Sequence, residues 1–222
     1  MNVSKALQSL REYSLNNIKD KMNKSSQDDH GNRALILLCQ ERYNVDLGLF
    51  KFSEVEGFPP PPIETLRDAV YQSYRYDKLE ELSEREYISN VLLHKNIDTD
   101  YYINRITYLS RLCDTDTLTE YEAYDLTHLC WALYMIGKDN HILQNFKFLM
   151  ERGLICVYYQ NRNKDVGTEA LYFLSLISPE VIQEDWISDL EKSQLDNGLM
   201  PGDSEMQQVH HTGLSLLLIS NF

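Results

Sequence analysis

Apolar side chains recur at steps of three and four along almost the whole chain, and this period limits its possible folds more than any other feature. Val3, Leu7, Leu10 and Tyr13 fall on one helix face. Residues 33–43 place five aliphatic side chains in a row, Ala34 to Leu38, before turning polar, as a helix entering a core does. The KSSQDDHGN stretch between these segments reads as a loop. One interruption stands out. Between Val45 and Pro62 lie Gly48, Gly57 and four successive prolines, Pro59 to Pro62. Proline donates no backbone hydrogen bond, so this run predicts an extended connector between an N-terminal helical pair (1–44) and a main body (63–222) of one domain.

Beyond the connector the helical spacing resumes. Ile63, Leu66, Val70 and Tyr74 mark one helix, and Ser83 with Glu86 forms a capping box ahead of Tyr87, Ile88, Val91 and Leu92. Tyr102, Ile106, Leu109 and Cys113 mark another. Thr119 with Glu122 is a second capping box, opening a helix that ends near Gly137. Asn140 suits an N-cap for Ile142, Phe146 and Leu149, with Gly153 as the stop. Residues 154–159, LICVYY, read either as a short strand or as a buried extension. Asp165 is placed to cap a helix through Ile177, and Ser178-Pro179 signals another running to about Gln194. A turn, LDNGLMPGD, precedes a last helix from Ser204. About ten helices joined by short loops predict an all-α fold of antiparallel helical hairpins, stacked as a partial α/α toroid or curved array.

Charge and cysteine usage narrow the partners. A formal charge of -13 opposes nucleic-acid and anionic-membrane binding, which need clustered Lys and Arg. It aids solubility and suits a cationic peptide. Cys39, Cys113, Cys130 and Cys156 are widely spaced with no CxxC pair, excluding a zinc ribbon or dithiol motif. The N-terminal segment lacks a signal peptide's apolar core, and no stretch approaches the ~20 apolar residues of a membrane span. The expectation is a cytoplasmic protein with reduced thiols, with an oligomer left open.

Two helices are apolar around most of their circumference, which implies burial on all sides. In 119–137, Leu126, Leu129, Leu133 and Ile136 form the stripe, while Tyr124, Cys130, Trp131, Tyr134 and Met135 cover much of the rest. Asp125, Thr127 and His128 are then polar groups on a central helix and need partners. Asp125 and His128 are three apart on one face, a spacing at which a carboxylate orients an imidazole or both reach one metal. The alternative for His128 is a structural hydrogen bond. In 204–222, Met206, Val209, Gly213 and Leu216 form a stripe, with His210 and His211 near the helix entry. Adjacent residues point ~100° apart, so one of the pair faces a shared pocket, and helical spacing puts His210 nearer the stripe. Glu169 is the other acidic group in a largely apolar helix, with a helix start as its duller explanation.

The stretch QLDNGLMPGDSEMQQVHHTGLSLLL resembles the C-terminal motif of α/α-toroid proteins, the protein prenyltransferase β-subunits and the terpenoid cyclase superfamily. The matching positions are Gly198, Leu199, Pro201, Gly202, His211 and Thr212. YDLTHLCW similarly resembles bacterial toroid-like proteins with a Leu-Thr-His motif. The resemblance implies a helical-hairpin fold and selects His211 as a zinc ligand. The Asp-x-Cys and DxDD motifs of those families are absent.

Two functional readings follow. The first is a small enzyme, with or without metal assistance, that modifies a peptide or natural-product intermediate in biosynthesis. Its pocket would be lined by Asp125, His128 and His211, with His128, His210, His211 and Glu169 available to a divalent cation such as zinc. The second is a non-catalytic hairpin scaffold binding a partner protein or peptide, which 15 tyrosines also suit.

Overall fold

The computed structural model describes residues 1–18, 27–49, 99–114, 117–137, 142–162 and 164–222. Among them the fold is all-α, with no strand. The helices are α1 (Val3–Tyr13), α2 (Gln27–Tyr43), α3 (Thr99–Asp114), α4 (Glu120–Gly137), α5 (Ile142–Gln160), α6 (Asp165–Ile177), α7 (Glu184–Lys192) and α8 (Glu205–Ile219). A π-helical turn, Ser14–Ile18, follows α1, and a 3-10 turn, Pro179–Val181, follows α6. Residues 45–49 are non-helical. The remaining connector to Pro62 and the helices expected at 63–74 and 83–92 lie outside the described residues.

The chain forms two compact units: Met1–Lys78 with Ile187–Phe222, and Leu79–Trp186. The N-terminal helices share a unit with the last helix.

In the first unit α8 is the buried centre, packed on α2 and α1. Residues 211–218 are all buried. Asn32, Cys39 and Tyr43, on one face of α2, reach the backbone carbonyls of Met206, Gly213 and Leu216 at 3.1, 3.6 and 2.7 Å. The two helices therefore run parallel along this seam. Gly213 lets them approach, since a Cβ there would sit 3.1 Å from Leu35 Cβ.

Ser204 caps α8, its hydroxyl accepting from Gln207 N at 3.2 Å, as its sequence position predicts. The preceding turn needs glycine at Gly198. Its φ is +91°, and a Cβ would lie 2.7 Å from the Lys5 carbonyl oxygen.

In the second unit α3, α4, α5 and α6 pack together. The α4 capping box forms as its sequence pattern predicts. Thr119 N donates to the Glu122 carboxylate at 2.9 Å, and Glu122 N donates to Thr119 Oγ1 at 3.3 Å. Backbone and hydroxyl bonds from Thr119 hold the Glu122 carboxyl below the usual carboxylate range.

Three local expectations are corrected. Gly153 does not stop α5, which continues through LICVYY to Gln160 without a strand. This glycine marks close helix packing, where a Cβ would meet Leu126 Cδ2 at 3.1 Å and Ser110 Oγ at 3.2 Å. Ser178-Pro179 does not open a long helix. The Ser178 hydroxyl donates to the Glu151 carboxylate instead of capping, and the chain leaves the 3-10 turn extended at Ile182 before α7 begins. Finally, α2 starts at Gln27, inside the stretch expected as loop.

Two outcomes follow for stability. A Cβ at Gly167 would lie 2.1 Å from the Asn161 carbonyl oxygen, a backbone atom with no side-chain freedom to yield. Gly167→Ala should therefore cost at least the ~1–3 kcal/mol typical of overpacking, read by urea unfolding. An unchanged midpoint would contradict this close approach. Tyr43 is the second case. Burial, then the neighbouring Cys39 thiol, push its pKa up to about 12 from 10.0. The folded state thus keeps a proton that the unfolded state releases, so this stability is present below pH 10 and lost as pH rises toward 12. Tyr43→Phe should melt lower at neutral pH by ~1 kcal/mol of lost hydrogen bonding, yet fall less steeply over that alkaline window. Parallel curves for the two proteins would refute the assignment.

Candidate functional site

Two of the groups expected to carry chemistry in the second unit, His128 and Glu169, meet along the seam between α4 and α6. Residues 166–175 of α6 are buried without a break, so no side of this helix can lead a polar group out to water. Glu169 is 4% exposed and would be a costly unpaired charge there. Two neighbours from one turn of α4 meet it. The Thr127 hydroxyl lies 2.7 Å from Oε2, and His128 Nε2 lies 3.6 Å from Oε1. Thr127 has one proton to give, and Tyr124 O lies 2.9 Å away as a competing acceptor. The shorter, charged acceptor wins it.

The seam continues toward the helix starts. Tyr124 donates to Asp165 Oδ1 at 2.5 Å, and Lys164 Nζ pairs with Glu120 Oε2 at 2.7 Å. Partners advance together, from 120 with 164 to 128 with 169, so α4 and α6 run parallel along a polar ladder. Burial, then the bond to Asp165 and the charges of Asp165, Glu169 and Glu120, push the Tyr124 pKa up. Its hydroxyl stays protonated and acts as a donor. Asp165 is the first residue of α6 and gives it no cap; Lys164 is the N-cap, without a side-chain bond.

His128 is a quarter exposed, at 26% of its side chain. Its Nδ1 lies 2.6 Å from the Tyr124 carbonyl oxygen, and a carbonyl only accepts, so Nδ1 carries the proton. The other nitrogen faces Glu169. Nδ1 is thus engaged, while Nε2 stands beyond hydrogen-bond distance of the carboxylate. Asp125 orients neither of them. Its carboxylate pairs with Arg105 at 2.9 Å, which replaces the expected Asp125–His128 contact.

The second histidine site belongs to the first unit. His211 is 1% exposed, and its Nδ1 donates to the Pro201 carbonyl at 2.8 Å. Helical spacing favoured His210 for the interior, but His211 is the buried member and His210 is half-exposed. Thr212 extends the clamp, its Oγ1 accepting from Met200 N at 2.8 Å. The Pro-Gly turn and the His-Thr pair are thus one device that holds the LDNGLMPGD turn onto α8.

Of the four expected metal ligands, His128 and Glu169 meet in the second unit, while His210 and His211 lie in the first. Among the described residues no group of three or more His, Cys, Asp or Glu is placed to hold a metal ion, so the expected zinc set is not assembled there. Cys39 and Cys130 are buried, and burial pushes both thiols up, away from the reactive thiolate. No helix among the described residues is long and apolar enough to cross a membrane.

Sequence reasoning missed Tyr124 and Asp165 as members of the ladder and gave Thr127 no role. The available signal was the four-residue spacing of Glu120, Tyr124 and His128, one polar stripe on an otherwise apolar helix. No family model matches the chain, and neither does any curated protein or solved structure.

The ladder predicts strong coupling between its members. Thr127→Val removes a donor from a buried carboxylate and should cost ~1–3 kcal/mol. In a double-mutant cycle, His128→Leu and Glu169→Leu should be non-additive by ~0.5–3 kcal/mol, because each single variant already breaks the contact that the double variant removes. Additive unfolding free energies would mean that the 3.6 Å contact carries no energy.

Proposed function

We propose that this protein is a non-catalytic helical scaffold that binds a partner protein or peptide through aromatic side chains on its second unit. The carrying observation is the exposure of large aromatics there: Phe148 at 76%, Tyr121 at 60%, Tyr108 at 49% and Tyr159 at 47%. Two of them carry an arginine, with the Arg105 guanidinium 5.4 Å from the Tyr108 ring centre and that of Arg162 4.7 Å from Tyr159. Tyr and Arg dominate the energetics of protein interfaces, and the acidic balance of -13 favours a cationic partner over nucleic acid.

On this view the helices continue as a hairpin array of α/α-toroid type. The likeness to prenyltransferases and cyclases enters as architecture and not as prenyl chemistry.

The enzymatic reading keeps one observation in its favour. His128 is partly exposed over a buried carboxylate, and 3.6 Å is longer than a hydrogen bond, so a substrate group could draw the ring away. One pair of variants separates the two readings. Phe148→Ser should leave the melting temperature within a few degrees and abolish recovery of a stoichiometric partner with the tagged protein from its own host cells. His128→Gln should lower the melting temperature and spare that recovery below it. The opposite pattern, partner retained by Phe148→Ser and function lost with His128→Gln at unchanged stability, would sink the scaffold reading.

A further inference from the structure

The end of α5 carries a cluster that the ladder does not use. Tyr158, Tyr159 and Trp186 converge there, with ring centres 4.8 Å apart for Tyr158–Trp186, 5.5 Å for Tyr159–Trp186 and 5.6 Å for Tyr158–Tyr159. Their planes are mutually inclined at 40°, 82° and 54°, so the rings enclose a corner rather than stack. Arg162 fills it. Its guanidinium carbon stands 4.7 Å from the Tyr159 centre and 5.5 Å from the Tyr158 centre. Aromatic rings set at angles around a cation are the usual recognition geometry for guanidinium and substituted ammonium groups, because the ring faces are negative.

The loop that carries Arg162 is built to this shape. Asn161 bonds back to α5 through N to Tyr158 O at 3.1 Å and through Nδ2 to Val157 O at 3.0 Å. Its carbonyl accepts from Lys164 N at 3.0 Å, and Gly167 fits closely beneath it. Asn161 is thereby tied to α5, the Arg162 side chain is exposed, and no carboxylate among the described residues pairs with it. Tyr159 is half exposed, so one wall of the corner faces solvent. Trp186 Nε1 is buried without an acceptor among the described residues.

We propose that Tyr158, Tyr159 and Trp186 form an arginine-binding aromatic site, occupied by the chain's own Arg162 until an arginine side chain of a basic partner segment replaces it. This rests on the scaffold reading and names the chemistry of its partner. Arg162 suits the role of an internal occupant because rings alone hold it. An incoming guanidinium regains the same contacts, and the acidic chain adds attraction for a longer basic segment.

The test uses the full chain and isothermal titration with three capped heptapeptides, Gly/Ser sequences whose central residue is Arg, Lys or Gln. Arg162→Gln empties the site and should tighten binding of the Arg peptide by about tenfold, whereas Tyr159→Leu should weaken it by at least about tenfold. The Lys peptide should bind more weakly and the Gln peptide not at all. An Arg162→Gln protein that binds no more tightly than wild type would overturn the proposal. So would equal binding of all three peptides, or Arg-peptide binding that survives Tyr159→Leu. If that surviving binding is lost with Phe148→Ser, the aromatic site fails while the scaffold reading stands. A melting temperature measured on each variant separates loss of the site from loss of the fold. Lowered stability in Arg162→Gln with no gain in affinity identifies Arg162 as a structural staple and also overturns the proposal.

Discussion

Much of the second unit's organisation depends on how the Glu169 carboxylate is met inside a buried helix. With every residue from Val166 to Ser175 covered, α6 has no polar face through which water could solvate the charge. An uncompensated carboxylate in such a place costs several kcal/mol. The compensation comes from Thr127 and His128, adjacent on α4, and this fixes both the rotation of α4 and its register against α6. Once that register is set, Tyr124 falls opposite Asp165 and Glu120 opposite Lys164. A sequence-level choice, one Glu in an apolar helix, thereby dictates tertiary register.

The first unit answers the same constraint differently. There α8 is the helix without a solvated face, and its own carbonyls serve as the anchor points, taking bonds from Asn32, Cys39 and Tyr43. Neutral donors on carbonyls carry less energy than a charge-assisted pair, roughly 0.5–1.5 kcal/mol each, but demand no desolvated ion. The His211–Pro201 and Thr212–Met200 bonds extend the pattern to the turn before α8. Glycine placement matters as much. Gly198 and Gly213 sit where a Cβ would press on Lys5 and Leu35, so close backbone approach accompanies these bonds.

The sequence revealed most where a local rule governs the structure. The Thr119–Glu122 box and the Ser204 cap are satisfied within a few residues of themselves; the box forms as its spacing predicts, and the last helix starts at the expected Ser204. It misled where tertiary contact decides. Gly153 has the look of a helix stop, yet its missing side chain serves contact with Leu126 and Ser110. Ser178 has the look of a cap, yet Glu151, distant in sequence, captures its hydroxyl. Asp125 and His128 do share a face, but a face offers several neighbours. Arg105 on α3 outcompetes the intrahelical pairing, because its guanidinium gives the Asp125 carboxylate a charged donor at 2.9 Å, and the ring of His128 turns instead toward Glu169 on α6.

The two histidines show why a buried polar residue points equally to chemistry and to architecture. Apolar surroundings force each imidazole to find partners, and that requirement holds whether or not a substrate ever arrives. What separates the roles is the nitrogen left over once structural bonds are counted. For His128 the Tyr124 carbonyl fixes the proton on Nδ1 and leaves Nε2, which Glu169 faces. A catalytic carboxylate–imidazole pair places the carboxylate on one nitrogen and the substrate on the other. The Nδ1 bond to the Tyr124 carbonyl stays within α4, whereas the approach of Nε2 to Glu169 crosses to α6, so the second nitrogen is the one that ties the ring to the register of the two helices.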